Sequence, residues 1–181
     1  CVFQANSAAN GGGLDVKATG VTLTDCRFED NTATGSDGGG AVYAYSAGSL
    51  RLDRCRFARN SGYGVRLLST SARLVACTFE SHPTSALANS SSNPVLVNCL
   101  FRLNGESGYT LGGAVRNENS NPFLFNCVFC GNAARSGGAI GASDNSSPEI
   151  VNCTLVGNTA SYSGGGFYGW ASFTAGNPRL S

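Results

Sequence analysis

What this sequence has little of narrows its reading first. Only 13% of the 181 residues are charged and the net charge is +1, so nothing points to a nucleic acid as partner. No apolar run reaches the length of about 18 residues that a membrane-spanning helix needs. No stretch repeats with a period of 3.6, so helices do not organise the chain. His82 is the one histidine, which leaves little for histidine-based metal ligation, and neither a metal nor another cofactor is expected. No methionine and no signal segment stand at the start. The chain opens on Cys1 inside one repeat and closes on Ser181 inside another. We therefore expect a fragment of a longer array, uncapped at both ends.

What remains is apolar and repetitive. At 41% apolar residues the chain is not a disordered tail. A repeated phrase is anchored on Cys1, Cys26, Cys55, Cys77, Cys99, Cys127 and Cys153, at spacings of 25, 29, 22, 22, 28 and 26. Two residues after each cysteine comes Phe3, Phe28, Phe57, Phe79, Phe101, Phe129 or Leu155. Five after it comes Asn6, Asn31, Asn60, His82, Asn104, Asn132 or Asn158. An apolar residue precedes most of the cysteines by three (Leu23, Leu52, Leu74, Leu96, Leu124, Ile150). Another follows the glycines (Leu14, Val42, Val65, Leu87, Val115, Ile140, Phe167). The repeat is the fold.

A period of this length suits a leucine-rich repeat or a coil of β-helix. The connections are rich in Gly, Ser, Asn and Thr and lack a helical return, which favours the second. Three short runs per repeat alternate with period two, as in Ala41–Ala44, Leu50–Leu52 and Cys55–Phe57. The expected fold is all-β: a right-handed parallel β-helix of about six rungs, each of three short strands, over residues 1–181. Val42, Leu52, Cys55 and Phe57 point inward in that arrangement, and Tyr43, Arg51 and Arg56 outward. Stacking at about 4.8 Å sets Leu on Leu and Phe on Phe. It also aligns the recurrent Asn into an amide ladder, with a shorter one at Asn98, Asn126 and Asn152. The glycines supply positive φ and close backbone approach where each loop re-enters a strand.

Phe-x-x-Asn occurs at Phe3–Asn6, Phe28–Asn31, Phe57–Asn60, Phe101–Asn104 and Phe129–Asn132. Gly-Gly-Ala followed by Val or Ile occurs at Gly39–Val42, Gly112–Val115 and Gly137–Ile140. Together they resemble the repeat of the chlamydial polymorphic outer membrane proteins, and the resemblance covers nearly the whole chain. Phe79–His82 departs from the first motif, and the coils after Asn60 and His82 lack the Gly-Gly pair. The resemblance implies a cell-surface or secreted β-helix used in adhesion, such as an autotransporter passenger.

Catalytic and metal-binding chemistry finds little support. The ladder cysteines read as small buried hydrophobes in preference to disulfides, because stacked cysteines have parallel Cβ vectors. Cys127 and Cys130 stand at Cys-x-x-Cys spacing, but Cys127 is expected to face inward and Cys130 to lie at a bend, which leaves Cys130 as the reactive thiol. His82 occupies an Asn-ladder position. No nucleophile motif surrounds a serine and no carboxylate pair recurs. We expect no catalytic residue. The alternative is part of a carbohydrate-active β-helix, a lyase or hydrolase, whose catalytic rungs lie elsewhere.

Binding is expected on the outer surface. The outward series of the second strand is Thr22, Arg51, Arg73, Val95, Phe123, Glu149. That of the third includes Arg27, Arg56, Thr78, Leu100 and Val128. Val95, Phe123, Leu100 and Val128 form an apolar patch suited to a partner or to other parts of the parent chain. Length varies only between the Asn and the next apolar residue, from 5 residues after Asn60 to 11 after Asn31 and Asn104. Long loops at Thr32–Gly40 and Gly105–Gly113 thus flank two short turns, and the edge is expected to carry a saddle about two rungs wide. Tyr63 on its floor and Tyr109 in its wall are the candidate contacts for a glycan or a host-surface protein.

Overall fold

The computed structural model describes residues 1–17, 20–105, 110–170 and the short strand 179–180. Its strands fall into three seven-stranded sheets, with two further two-stranded ribbons on the loop edge. The chain visits the three sheets in fixed rotation, so each circuit is one coil and successive coils stack. Coil three shows the pattern: β1 (Arg56–Ala58), β2 (Tyr63–Leu68) and β3 (Ala72–Val75). We call the sheets that contain them the Phe sheet, the loop-exit sheet and the Leu sheet. Seven strands per sheet give seven coils and six inter-coil steps.

The pairing is parallel and keeps like on like. Phe28 pairs with Phe57, Phe57 with Phe79, Leu52 with Leu74, and Val42 with Val65. The cause is the period of two: a slip of one residue would turn every core side chain outward. Inside, the five Phe steps stack with ring centroids 4.4–5.1 Å apart. Val42, Leu52, Cys55 and Phe57 are buried, while Arg51 is exposed and Tyr43 and Arg56 are partly covered. The expected alternation holds.

Each bend turns on one residue at positive φ. Beyond the glycines that the sequence reading placed in that conformation, 17 non-glycine residues adopt it. Asp30, Arg59, Ser81 and Leu103 do so between Phe and Asn, with Gly131 at the equivalent place in coil six. The local cost of a left-handed residue is offset by the inter-coil bonds that the bend sets up. Glycine is required where backbone crowds backbone. A Cβ on Gly39 would collide with the carbonyl of Val42, and Gly112, at φ +68°, makes the same approach to Val115.

The bends are satisfied internally. Asn132 is the pattern: its Oδ1 accepts from the backbone N–H of Asn104 at 3.0 Å and from the Asn104 amide at 2.9 Å. Its Nδ2 donates to the Phe101 carbonyl at 3.1 Å and to Asn158 Oδ1 at 2.9 Å. The second asparagine series also forms, exposed at the surface, with Asn126 donating to Asn98 at 2.6 Å and Asn152 to Asn126 at 3.1 Å. A third ladder was not foreseen: the hydroxyls of Thr70, Ser92, Ser120 and Ser146 each accept the backbone N–H one coil below, at 3.0–3.3 Å. The cysteines are free thiols. Those of Cys55, Cys77, Cys99, Cys127 and Cys153 donate to a leucine carbonyl of the preceding coil at 3.3–3.8 Å. The hydrogen bond shared with the neighbouring thiol and then burial push Cys55, Cys99 and Cys153 upward, so they stay protonated.

Candidate functional site

The short turns after Asn60 and His82 lie on the loop edge, where each coil enters the loop-exit sheet. There the outward row reads Tyr43, Arg66, Ala88, Arg116 in register. Alternation alone would leave Arg66 in water, yet its side chain is only 6% exposed. Neighbours on three coils enclose it. Asp37, from the long loop of coil two, accepts from Arg66 Nη2 at 3.1 Å. Ser90 in coil four accepts from Arg66 Nη1 at 3.0 Å and donates to Glu118 at 2.9 Å. Arg116 grips Glu118 through Nε at 3.1 Å, and through Nη2.

Tyr63 ties the cluster together. Its phenolic oxygen accepts from Arg116 Nη1 at 3.0 Å, across two coils. The guanidinium carbons of Arg66 and Arg116 lie 5.2 and 5.9 Å from its ring centroid, within the range of cation–π attraction. Ala88, the small residue between the two arginines, faces outward and is nonetheless fully buried. A larger residue there would occupy the space of the ring.

Electrostatically the floor is close to neutral, with two guanidiniums set against two carboxylates. Burial opposes ionisation of Glu118, but its hydrogen bond with Arg116 prevails and holds the carboxyl below its ordinary range. Asp25, Asp30 and Glu80 are lowered too, by hydrogen bonds to Arg54, Arg59 and Arg102. These displaced carboxylates are anions held by arginine, unlike a general acid, which must keep its proton near neutral pH. Arg66 Nε is buried without a partner, a donor that a water or a ligand oxygen would satisfy. Among the described residues no group of three His, Cys, Asp or Glu side chains gathers to hold a metal.

The other expected site residues fall as follows. Tyr63 is half-buried on the floor, and Tyr109 lies outside the described residues, as do residues 106–108 of its loop. Val95 pairs with Phe123 on the Leu sheet and Leu100 with Val128 on the Phe sheet, on either side of the bend that carries the exposed asparagine series. Phe125 lies beside Phe123, with the two ring centroids 6.3 Å apart. Arg66, Arg116 and Glu118 were missed, because the outward row of the loop-exit sheet was never read across coils. The acids that looked scattered are interleaved: Arg56 bridges Glu29 and Glu80 of the flanking coils, and Arg102 holds Glu80 at 2.6 Å.

Residues 12–177 match the family described as the right-handed β-helix region. The chain belongs to that family. Membership accounts for the handedness of the coil, and for a surface built by outward rows and loop insertions on a constant core. Right-handed β-helices include both surface adhesins and carbohydrate-active enzymes, so the family alone does not choose between binding and catalysis. No curated protein and no solved structure matches the chain. Among the described residues no helix is long and apolar enough to cross a membrane.

Proposed function

We propose that this chain is a stretch of a non-catalytic, extracellular β-helical surface protein that acts in adhesion. Its loop edge binds a glycan presented on a host surface. The observation that carries this reading is the floor around Tyr63: a preformed, nearly neutral cluster of planar and hydroxyl groups on the edge where loop length varies. Such a surface offers hydrogen-bond donors and acceptors without reorganisation, which lowers the cost of binding. The absence of a protonated carboxyl among the displaced acids of the described residues supports binding over hydrolysis.

Replacing Tyr63 and Tyr109 together with alanine and measuring attachment to host cells and to a glycan array tests the proposal. Thermal denaturation of the same variant checks the fold. Loss of attachment with the fold retained is the expected result. Unchanged attachment would transfer the function to the patch around Val95 and Phe123.

A further inference from the structure

The outer face of the Leu sheet is two side chains wide, because each strand turns alternate residues outward. On coils three to six the first outward row reads Arg73, Val95, Phe123, Glu149, paired in register. The second reads Val75, Val97, Phe125, Val151, in the same register. Between the rows, Leu74, Leu96, Leu124 and Ile150 face the core and are buried. The six apolar residues of the two rows all reach solvent in part, and Phe125 is 39% exposed. A continuous apolar face over four adjacent strands is one that a monomer seldom leaves open.

The charges on this face have an order. Arg73 stands at one end of the apolar centre and Glu149 at the other, three coils apart. One coil below, Arg51 is already engaged, its Nε donating to Asp53 of its own strand at 2.7 Å. Coil three has Val75 in the place of Asp53, so Arg73 lacks an intrastrand carboxylate. Among the described residues neither the Arg73 nor the Glu149 side chain has a hydrogen bond or ion pair. Arg73 also borders a groove of ≈ 390 Å³ that runs on toward Val21, which leaves its guanidinium room to take up an incoming carboxylate. One unpaired base and one unpaired acid therefore bracket an apolar centre.

We propose that this face is the interface of a two-fold dimer, and that its occupant is a second copy of the chain. The axis runs along the strands and passes between coils four and five. Coil three of one copy then faces coil six of the other, and coil four faces coil five. Arg73 meets Glu149 of the second copy, and by symmetry the same pair forms again at the opposite end. Between them Val95 meets Phe123, Val97 meets Phe125, and Val75 meets Val151. An isologous contact requires one surface to match itself, and the order base, apolar centre, acid does so when the two stacks run antiparallel. A partner of different sequence calls for no such symmetry. Arg179, which follows Glu149 in register, comes opposite Arg51, whose charge Asp53 offsets. Four strands of three or four residues give a face of about 20 by 10 Å. That is smaller than the roughly 800 Å² per partner of a standard interface, so the dimer is weak, with a Kd of about 10–100 µM. In each coil the loop edge joins the Phe sheet to the loop-exit sheet, away from the Leu sheet, so both loop edges of the dimer stay open.

Sedimentation velocity on the whole chain, from about 1 µM to about 1 mM, brackets such a constant and should show a reversible monomer–dimer equilibrium. Arg73→Glu and Glu149→Arg should each weaken the dimer at least about tenfold, because each sets like charges opposite one another. Mixing these two variants should restore it, since each copy then supplies the charge that the other lacks. Both substitutions in one chain should restore it too. Phe125→Ser should weaken it through the apolar centre, and Arg27→Glu, the same charge change on the Phe sheet, should leave it unaltered. Thermal denaturation checks that each variant is folded. A chain that stays monomeric to about 1 mM overturns the proposal and gives the face to a different protein or to another part of the parent chain. The proposal is equally overturned if the mixture does not restore the dimer, if Arg27→Glu weakens it as much as Arg73→Glu, or if association runs on past the dimer. Because Tyr63 and Arg116 are untouched in every variant, failure here leaves the loop-edge proposal standing.

Discussion

A Cβ placed on Gly64 would lie 2.9 Å from both Cε1 and Nε2 of the His82 imidazole, and 2.5 Å from the Ala86 carbonyl oxygen. The two residues belong to adjacent coils and depart from the repeat together. Ala41, Ala86, Ala114 and Ala139, all fully buried, stand where Gly64 stands in coil three. His82 stands where the other coils have asparagine. The imidazole is larger than a carboxamide, and the missing methyl of Gly64 is the space it uses.

This gives the first prediction. Gly64→Ala should destabilise the protein by about 1–3 kcal/mol, the cost of overpacking a closed core. In a His82→Asn background the same change should cost less, since asparagine removes the contact with the imidazole while the approach to the Ala86 carbonyl remains. Chemical denaturation of the four members of the cycle measures the coupling. Additive effects would show that His82 and Gly64 do not share the space.

The second prediction concerns pH. Burial drives the His82 pKa down from 6.5 to about 4, against hydrogen bonds to the Asn60 and Phe57 backbone that favour the charged form. Nδ1 lies 3.1 Å from the Asn60 carbonyl, and Nε2 is buried with no partner, so a proton added there would be an unpaired charge. With the folded pKa depressed, the unfolded chain binds the proton first. Stability contributed by neutral His82 is then fully present above pH 6.5 and lost as pH falls toward 4. Between pH 7 and pH 5 the loss should be about 2 kcal/mol. His82→Asn should flatten that slope, as read from urea midpoints at the two pH values. The arginine-bound carboxylates titrate lower, so they leave this window to histidine.

How much of this was legible in the sequence depends on whether a property recurs. Phe, Leu, Cys and Asn recur at fixed offsets, and recurrence at about 4.8 Å per coil turns a one-dimensional pattern directly into stacks and ladders. The hydroxyl ladder was legible for the same reason, since Ser92, Ser120 and Ser146 each stand two residues before a proline. The Tyr63 cluster was not legible in that way. It uses Asp37 from a long loop, Arg66 and Arg116 from one outward row, and Ser90 and Glu118 from the next. Arginine returns in its row only in alternate coils, with Ala88 between, and Glu118 has no acidic counterpart in its own row. The non-glycine bends were not legible, because a stack bonded on both sides holds Leu103 and Arg59 at positive φ with no glycine to mark the place.

A third prediction follows from the thiols. Cys26, Cys55, Cys77, Cys99 and Cys127 are buried, Cys153 and Cys130 are partly covered, and Cys1 is exposed. Burial shields all five from iodoacetamide, which attacks through the thiolate, and at Cys55 and Cys99 protonation adds to the protection. Peptide mapping after brief alkylation of the native protein should find Cys1 and Cys130 modified while the five buried thiols are spared. Rapid labelling of Cys77 or Cys99 under native conditions would contradict the closed ladder.

The last prediction sets a buried amide against a surface ion pair. Glu80 binds both Arg56 and Arg102, at 3.1 and 2.6 Å, and on a count of contacts it looks the more important residue. Those arginines are 36% and 46% exposed, however, and water and salt screen such pairs to about 1 kcal/mol or less. Asn132 is wholly buried. Without its side chain, the Asn104 N–H and amide lose their acceptor and the Phe101 carbonyl loses a donor. Each buried group left unpaired costs about 1–3 kcal/mol, and the coil on either side depends on the one between. Asn132→Ala should therefore lower stability by about 3 kcal/mol or more, and Glu80→Gln by about 1 kcal/mol or less. Raising the salt from 0.1 to 1 M should shrink the Glu80 effect and leave that of Asn132 unchanged. If both variants melt at the same temperature, the buried ladder is not what holds the coils in register.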